Sequence, residues 1–275
     1  MMRALVFIVS LAFFPARAAD LEPVKDAGPY VPSPQSVVSD MLRYADVTEK
    51  DFLIDLGSGD GRIVLTAAKV FGARGFGVEI KEDLVKKSNA AAEKEGLADR
   101  VRFMKQDLFK TDLSQASVIT MYLLPDTVNL LKDKFLNELR PGTRIVSHDY
   151  PLTGWIPEKS RTFDLEEKIE ISGVTTTILW LYIVPARVQG RWNATLPEVV
   201  SRQPAFLHLR QQLTRVSGSL RVEGKDIPLE EATLRGDRLS FRLAGRKGAF
   251  TGKVKGKRID GTLDGKTPWS ATLGG

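Results

Sequence analysis

The sequence predicts an α/β domain, in which helices cover a parallel sheet, followed by a small all-β domain. Over residues 34–184, short apolar runs alternate with helical patterns, as in parallel sheets whose strands are joined by helices. After Pro185 the helical patterns stop, and glycines interrupt short apolar alternations, which is typical of an antiparallel barrel or sandwich. We therefore divide the chain into an α/β domain at 29–185 and an all-β domain at 188–275.

The elements of the first domain follow from the hydrophobic pattern. Ser33 and Pro34 suit the start of a first helix, with Ser33 as its cap. Short β-branched and aromatic runs predict strands, and apolar residues at helical spacing predict helices. The predicted strands are 52–54, 76–80, 101–104, 118–122, 145–148 and 175–184, and the helices begin at 34 and cover 63–71, 82–95 and 127–139.

The second domain is predicted from alternation and turn residues. Gly236-Asp237 and Gly256-Lys257 suit tight hairpin turns. The predicted strands are 216–222, 239–243, 250–254, 259–263 and 269–273.

The composition is that of a globular protein. The chain has 275 residues, of which 43% are hydrophobic and 27% are charged, enough for one large domain or two smaller ones. It contains no Cys, which excludes a disulfide framework, a zinc ribbon and a thiol nucleophile. With only two histidines, His148 and His208, no metal site is expected.

The first 19 residues have the features of a secretory signal peptide. A positive start at Arg3 precedes an uncharged run over 4–14, and small residues stand at Ala16 and Ala18, as before a signal-peptidase cut. The run is too short for a membrane helix, which needs about 20 residues. We expect cleavage after Ala18 or Ala19 and export to the bacterial periplasm or cell envelope; a misassigned start would leave the protein in the cytoplasm.

Positive charge is concentrated in the all-β domain. Residues 187–275 hold 17 Lys and Arg against 8 Asp and Glu, a net charge of +9, whereas the whole chain carries +6. Such a domain can dock an acidic protein or an anionic membrane surface. The alternative is that Lys and Arg only protect the strand edges. Because few aromatic residues are interleaved with the basic ones, no nucleic-acid partner is expected.

A glycine loop follows the first strand. Residues 55–61 read D-L-G-S-G-D-G, Glu79 ends the second strand, and Asp107 follows the third. An acid about 20 residues after such a loop is where the doubly wound fold binds a ribose. The loop has no Lys, which argues against a phosphate-binding loop. The G-x-G-x-x-G spacing of nicotinamide and flavin enzymes is also missing. These observations predict a nucleoside ligand that carries positive charge.

This combination resembles the class I S-adenosylmethionine-dependent methyltransferases over about residues 29–184. The resemblance implies a Rossmann-like seven-strand sheet and S-adenosyl-L-methionine as the cofactor. It also implies that the backbone of the loop approaches the methionine part and that Glu79 binds the ribose. The implied cofactor-binding residues are Asp55, Gly57, Ser58, Gly59, Asp60, Glu79, Asp107 and Leu108.

Three segments are similar to a narrower family, the protein-lysine methyltransferases that act on the ATP synthase c-subunit and the adenine nucleotide translocase. These segments are P-Y-V-P-S-P at 29–34, the glycine loop with the R-I-V that follows it, and Y-L-L-P at 122–125. This resemblance implies a protein substrate with a lysine acceptor. The export signal and the basic all-β domain depart from the family's pattern.

The acceptor site is expected beside the fourth strand. Methyl transfer from a sulfonium is an in-line displacement, which mainly requires alignment and the exclusion of water. Tyr122 and the residues after it lie where amine methyltransferases hold the acceptor nitrogen, Tyr30 can close the site, and His148-Asp149 forms a second candidate pair. The candidate catalytic residues are therefore Tyr122, Tyr30 and His148, and the candidate substrate-binding residues are Leu123, Leu124 and Pro125.

Two other functions stay open. One is methylation of a small molecule, which would need a closed pocket around its acceptor. The other is a non-catalytic protein that binds a cell-envelope partner on a methyltransferase scaffold. The oligomeric state is left undetermined.

Overall fold

The computed structural model describes residues 30–274, which form a seven-stranded sheet with helices and a closed eight-stranded barrel. The predicted fold class is confirmed, and the second domain is a barrel. The proposed signal peptide lies outside the described residues. Within residues 30–274, no helix combines the length and apolar character that a membrane crossing requires.

The first domain alternates strands and helices as the pattern predicts. Its helices are α1 (Gln35–Tyr44), α2 (Arg62–Phe71), α3 (Glu82–Lys94), α4 (Pro125–Leu130), α5 (Lys132–Glu138) and α6 (Ile169–Ser172), with 3-10 turns at Leu108–Lys110 and Glu166–Lys168. Its strands are β1 (Phe52–Leu56), β2 (Arg74–Glu79), β3 (Val101–Lys105), β4 (Val118–Met121), β5 (Arg144–His148), β6 (Lys159–Asp164) and β7 (Thr176–Ile183).

The sheet has the strand order β3-β2-β1-β4-β5-β7-β6. Strand β1 pairs in parallel with β2 on one side and β4 on the other, and β7 is antiparallel to both β5 and β6. The strand order therefore reverses between β1 and β4, the position at which open α/β sheets bind their ligands. Separate hydrophobic clusters surround Met41 of α1 and Phe135 of α5, each fully buried.

Two local predictions are wrong, and one strand of the sheet was missed. Ser33 does not cap α1, because its hydroxyl lies 2.9 Å from Nδ1 of His148, and the carbonyl of Pro34 accepts the first helical bond, from Val38. The single helix predicted at 127–139 is two helices that meet at Leu131. Strand β6 was not predicted, because its sequence K-S-R-T-F-D is mostly exposed at the sheet edge and lacks a buried alternation.

The barrel is closed in the order β10-β11-β12-β13-β14-β15-β8-β9. Phe241 and Phe250 stack inside it with ring centroids 5.0 Å apart, and Trp269 packs edge-on against both at 5.7 Å. Aromatic side chains thus fill part of this interior, as in small barrels. Its strands are β8 (Gly190–Thr195), β9 (Ala205–Gln212), β10 (Arg215–Val222), β11 (Lys225–Arg235), β12 (Arg238–Leu243), β13 (Ala249–Lys255), β14 (Arg258–Leu263) and β15 (Thr267–Leu273).

The barrel contacts the first domain at the amino end of β5. The turn at Gly236 accepts a hydrogen bond of 2.8 Å from the backbone of Ala186, and a Cβ placed on Gly236 would lie 3.2 Å from the Cα of Gly142, just before β5. Next to this turn, Arg235 forms a 2.7 Å ion pair with Glu158. The glycine loop lies at the carboxyl ends of the parallel strands. The barrel is therefore attached at the opposite edge of the sheet.

Candidate functional site

The glycine loop turns sharply between β1 and α2. Gly57, Gly59 and Gly61 have φ angles of 76°, 53° and 82°, in the left-handed region that favours glycine. The amides of Gly57 and Ser58 both donate to the carbonyl of Val78 on β2, at 3.0 and 2.9 Å. The loop is thus fixed to the sheet, and its last residue, Gly61, is the N-cap of α2.

Glu79 joins the end of β2 to this loop. One carboxylate oxygen accepts a hydrogen bond of 3.0 Å from the amide of Gly59, and the other accepts from the amides of Ile80 and Lys81 at 2.8 and 3.0 Å. The side chain is only 9% exposed. Glu79 is therefore fixed beside the glycine loop. A carboxylate oxygen that accepts one hydrogen bond from an amide can still accept another from a ribose hydroxyl.

Asp55 is buried at the end of β1. Its carboxylate accepts a 2.7 Å hydrogen bond from the hydroxyl of Thr120 on β4. Burial, together with the charges of Glu79 and Asp60, raises the pKa of Asp55 to about 7 against the opposing effect of the hydrogen bond from Thr120. A positively charged ligand would reduce the electrostatic repulsion among these carboxylates, so the site suits a cation.

Asp60 connects the loop with the segment before α1. Its carboxylate accepts hydrogen bonds from Nε and one terminal nitrogen of Arg62, at 2.8 and 2.7 Å, and another terminal nitrogen of Arg62 donates to the carbonyl of Ser33. Burial opposes ionisation of Asp60, yet hydrogen bonds from Arg62 and the Tyr30 hydroxyl hold its pKa below the ordinary value. Asp60 thus anchors Tyr30 and Arg62.

The remaining predicted cofactor residues have different surroundings. The side chain of Ser58 points at Gly77 on β2, and within residues 30–274 its buried hydroxyl has no hydrogen-bond partner. Asp107 accepts a 2.8 Å bond from the amide of Phe109, and Leu108 is buried in the core. The amide of Gln106 donates to the carbonyl of Glu79. The segment that contains Asp107 therefore adjoins the end of β2, and the side chain of Ser58 packs against Gly77. The cofactor-binding roles of Ser58, Asp107 and Leu108 stay predictions.

Tyr30 and Leu123 cover the loop. A Cβ on Gly59 would lie 2.4 Å from the ring of Tyr30, and one on Gly57 would lie 2.7 Å from the side chain of Leu123. The predicted acceptor residues Tyr122, Leu123, Leu124 and Pro125 follow β4 directly, and Leu124 is 44% exposed. The structure therefore brings the predicted acceptor segment against the predicted cofactor loop.

His148 lies beneath Tyr122. Their rings are 4.0 Å apart, and His148 is fully buried. Burial lowers the pKa of His148 to about 4, although the charge of Asp149 opposes this shift, so the ring is neutral at neutral pH. The direct catalytic role of His148 stays a prediction, and the geometry shows it supporting Tyr122.

Sequence reasoning missed four residues around this site. Thr120 and Arg62 contact Asp55 and Asp60, respectively, while Lys168 and Trp180 contact Asp149. A signal existed for the first two, because Thr120 is a polar residue within a buried strand and Arg62 follows the loop. Lys168 lies in an ordinary polar segment, and nothing in the local sequence distinguishes it.

Comparisons with known proteins identify the family. A family profile described as the ANTKMT methyltransferase domain matches residues 55–159. The chain is 41% identical to a protein-lysine N-methyltransferase of Saccharolobus islandicus over 57% of this chain and 93% of that protein. It is 33% identical to the adenine nucleotide translocase lysine N-methyltransferase of Mus musculus over 48% of this chain, and spans 53% of that relative's length.

A solved structure points to the same cofactor. The RNA methyltransferase of Salinibacter ruber, in complex with S-adenosyl-L-homocysteine, has a TM-score of 0.51 and 46% identity, and the match covers 57% of this chain and 96% of that one. The buried acids and the left-handed glycine loop of this chain fit the positively charged parent of that ligand, S-adenosylmethionine. The matches to the Saccharolobus protein and to the family profile show that the chain belongs to the ANTKMT-type family of S-adenosylmethionine-dependent methyltransferases.

Proposed function

We propose that the chain methylates lysine side chains of a protein substrate. The observation that carries this proposal is the match to the protein-lysine N-methyltransferase of Saccharolobus islandicus, which extends over 93% of that protein at 41% identity. The geometry adds chemical support, because Leu123, the residue after Tyr122, lies against the glycine loop and the next residue, Leu124, exposes apolar surface.

The residues of the site suit an in-line transfer. S-adenosylmethionine supplies a methyl group bound to a positively charged sulfur. The chain has to hold the acceptor amine in line with that methyl group and to exclude water. Tyr30 and Leu123 cover the glycine loop, and a desolvated amine loses its proton more readily. This chemistry needs no metal and no strong general base.

The test is transfer of labelled methyl groups from S-adenosylmethionine into protein, RNA and small-molecule fractions of the source cell, with Glu79→Ala as control. The expected result is labelled methyl-lysine in a discrete protein, absent with the control. Label in RNA would assign the substrate class named for the Salinibacter structure, and label only in small molecules would also refute the proposal. Cofactor binding without any transfer would favour a non-catalytic scaffold.

We also infer that residues 1–19 direct export and are removed. The support is the positive start, the short apolar run and the small residues before Ala19. Expression of the full chain in a Gram-negative host followed by fractionation tests this inference. A periplasmic product whose amino terminus is Ala19 or Asp20 is expected, and a cytoplasmic product that keeps Met1 would contradict it.

We further propose that the barrel presents a docking surface for an acidic protein partner. In the strand register, Arg235 faces Arg238, Arg238 faces Lys253, and Lys255 faces Arg258. Like charges directly opposite one another cost stability. Ion pairs of Arg235 with Glu158, Lys253 with Asp237 and Arg258 with Asp260 offset part of this cost, and a bound anionic surface would offset more of it. Within residues 30–274, strands β8–β15 carry no exposed large hydrophobic side chain, and the exposed Val199 lies in the connection between β8 and β9. This charged strand surface favours an acidic protein over a membrane.

Binding to poly-L-glutamate and to anionic lipid vesicles tests the docking surface. The variant Lys255→Glu/Arg258→Glu reverses two charges of the cluster, and Arg210→Glu on β9 is the matched control. Salt-sensitive binding to poly-L-glutamate, lost only in the double variant, is expected. Preference for vesicles, or equal loss in the control, would refute the assignment.

A further inference from the structure

Tyr122 is held from two directions at the carboxyl edge of the sheet. His148 stacks on its ring, and Ser33 fixes His148 through the 2.9 Å contact between its hydroxyl and Nδ1. The hydroxyl of Tyr122 faces the carboxylate of Asp149, and burial together with the charge and hydrogen bond of Asp149 raises the pKa of Tyr122. Tyr122 therefore stays protonated and directs its proton toward Asp149.

Asp149 is itself fixed by the strand that follows. Its backbone has a φ angle of 64°, in the left-handed region, and its amide donates to the carbonyl of Ile178 on β7 at 2.7 Å. Its carboxylate accepts from the amide of Ile178 at 3.1 Å, and its carbonyl accepts from the indole of Trp180 at 3.1 Å. These bonds leave the carboxylate little freedom.

Lys168 supplies a buried positive charge to this carboxylate. Its ammonium group lies 2.8 and 2.7 Å from the two oxygens of Asp149 and also donates to the carbonyl of Thr176. Lys168 is 2% exposed and Asp149 16% exposed. Nε2 of His148 lies 3.6 Å from Asp149, but the imidazole is neutral. Within residues 30–274, the ionisable side chains shown against Asp149 are Lys168, His148 and Tyr122. His148 and Tyr122 are neutral, and Lys168 forms the ion pair.

The charge balance matters because the acceptor lysine must lose its proton before it can attack. A carboxylate without a counterion beside the acceptor would bind the ammonium form and hold its proton. A carboxylate already paired with Lys168 can accept the hydrogen bond from Tyr122 without binding the ammonium form of the acceptor. With its proton engaged, the hydroxyl oxygen of Tyr122 offers lone pairs to an N–H group of the acceptor.

We propose that Lys168 and Asp149 form a buried, mutually neutralising pair that orients the Tyr122 hydroxyl toward the acceptor amine and prevents Asp149 from trapping that amine as an ammonium ion. Both are positioning residues that act through Tyr122. The proposal rests on the proposed function, because it assumes that the acceptor is an amine.

A charge cycle on the pair tests the proposal without requiring turnover. The probe is n-butylammonium, titrated at pH 7 into each variant saturated with S-adenosylhomocysteine and followed by NMR. Lys168→Met leaves Asp149 without its counterion and is expected to bind the probe about tenfold more tightly. Asp149→Asn leaves Lys168 in excess and is expected to bind about tenfold more weakly. The neutral double variant Asp149→Asn/Lys168→Met and the charge-conserving Lys168→Arg should restore binding toward the wild-type value.

A purely structural role predicts a different pattern. If the pair only stabilised the fold, both single variants and the double variant would weaken binding, and this result would overturn the proposal. Unchanged affinity in Lys168→Met would overturn it as well. If that variant fails to fold, as judged by its thermal melt, the weaker binding of Asp149→Asn and its recovery in the neutral double variant still decide the question.

Turnover provides a second readout. With poly-L-lysine as acceptor, Lys168→Met is expected to shift the acidic limb of the rate profile upward by about one pH unit and to recover at high pH. An equal loss of rate at every pH would indicate a structural role. If the wild-type protein methylates no lysine at all, the proposed function fails, whereas the n-butylammonium titrations still report on the charge pair.

Discussion

Replacing Asp55 by Asn is expected to stabilise the cofactor-free protein at neutral and alkaline pH, although the change removes a residue of the cofactor site. Asp55 is 2% exposed, and burial is the main cause that raises its pKa to about 7 from an ordinary value of 3.8. The folded state therefore holds the proton more tightly than the unfolded state does. Stability is highest below about pH 4 on this account and is lost as the pH rises toward 7.

The magnitude follows from the size of the shift. About three pKa units correspond to about 4 kcal/mol, since each unit is worth about 1.4 kcal/mol. Relaxation around the charged form lowers this value, so we expect Asp55→Asn to gain about 2 to 4 kcal/mol above pH 7. An Asn side chain keeps an oxygen that can accept the hydrogen bond from Thr120.

Urea unfolding of the cofactor-free chain between pH 4 and pH 9 measures this effect. The difference in unfolding free energy between Asp55→Asn and the wild type should grow between pH 4 and 7, by at most about 1.4 kcal/mol per pH unit, reach a total of about 2 to 4 kcal/mol, and then level off. The exposed Asp126→Asn, on α4, is the charge control and should show a nearly flat difference. A difference for Asp55→Asn that does not change with pH would refute the assignment of a buried, strained carboxylate.

Three further predictions concern the cofactor and the barrel. Because a cationic cofactor favours ionised Asp55, calorimetry should show affinity falling about tenfold per pH unit below pH 7 in the wild type and a flat profile in Asp55→Asn. Gly59→Ala combines a left-handed φ of 53° with a Cβ 2.4 Å from the Tyr30 ring, so cofactor affinity should fall more than about tenfold, and adding Tyr30→Ala should recover part of it. Phe250→Ala, in the barrel core, should lower barrel stability by about 3 to 5 kcal/mol in calorimetric melts without changing cofactor affinity.

The strands of the first domain could be predicted because each is a short apolar run that ends at a polar residue. Asp55, Glu79 and Asp107 follow successive strands, and parallel strands bring such positions to one edge of the sheet. In the structure, Glu79 accepts a hydrogen bond from the amide of Gly59 in the glycine loop, and its charge contributes to the raised pKa of Asp55.

The barrel strands were harder to predict where the alternation is broken. Strand β11 contains Pro228, and its pairing with β12 shifts register between Glu230 and Thr233, where Glu231 has a φ of 50°. Such a bulge reverses which side chains face inward, and no uniform period survives it. In β9, by contrast, Ala205, Leu207 and Leu209 alternate with exposed or half-buried residues, a signal that was available.

The groups around Asp149 could not be found from sequence because they come from separate loops. Lys168 approaches Asp149 across 19 positions of the chain, and Ser33 reaches His148 across 115. Only the antiparallel return of β7 beside β5 brings the 3-10 turn that carries Lys168 over the end of β5. A lysine in a polar segment is ordinarily a solvated residue, so its burial depends on tertiary structure.

The candidate active site and the contact with the barrel lie at opposite ends of the parallel strands. The glycine loop, Tyr122 and Asp149 lie at the carboxyl ends of the parallel strands, whereas the barrel meets the amino end of β5 through Gly236 and Gly142. A docking surface on the barrel can therefore raise the local concentration of a substrate without lining the acceptor site. On this arrangement, charge changes on the barrel should alter KM and its salt dependence for a docked protein substrate. They should leave kcat unchanged, and a loss of cofactor affinity in such a variant would contradict the separation of the two ends.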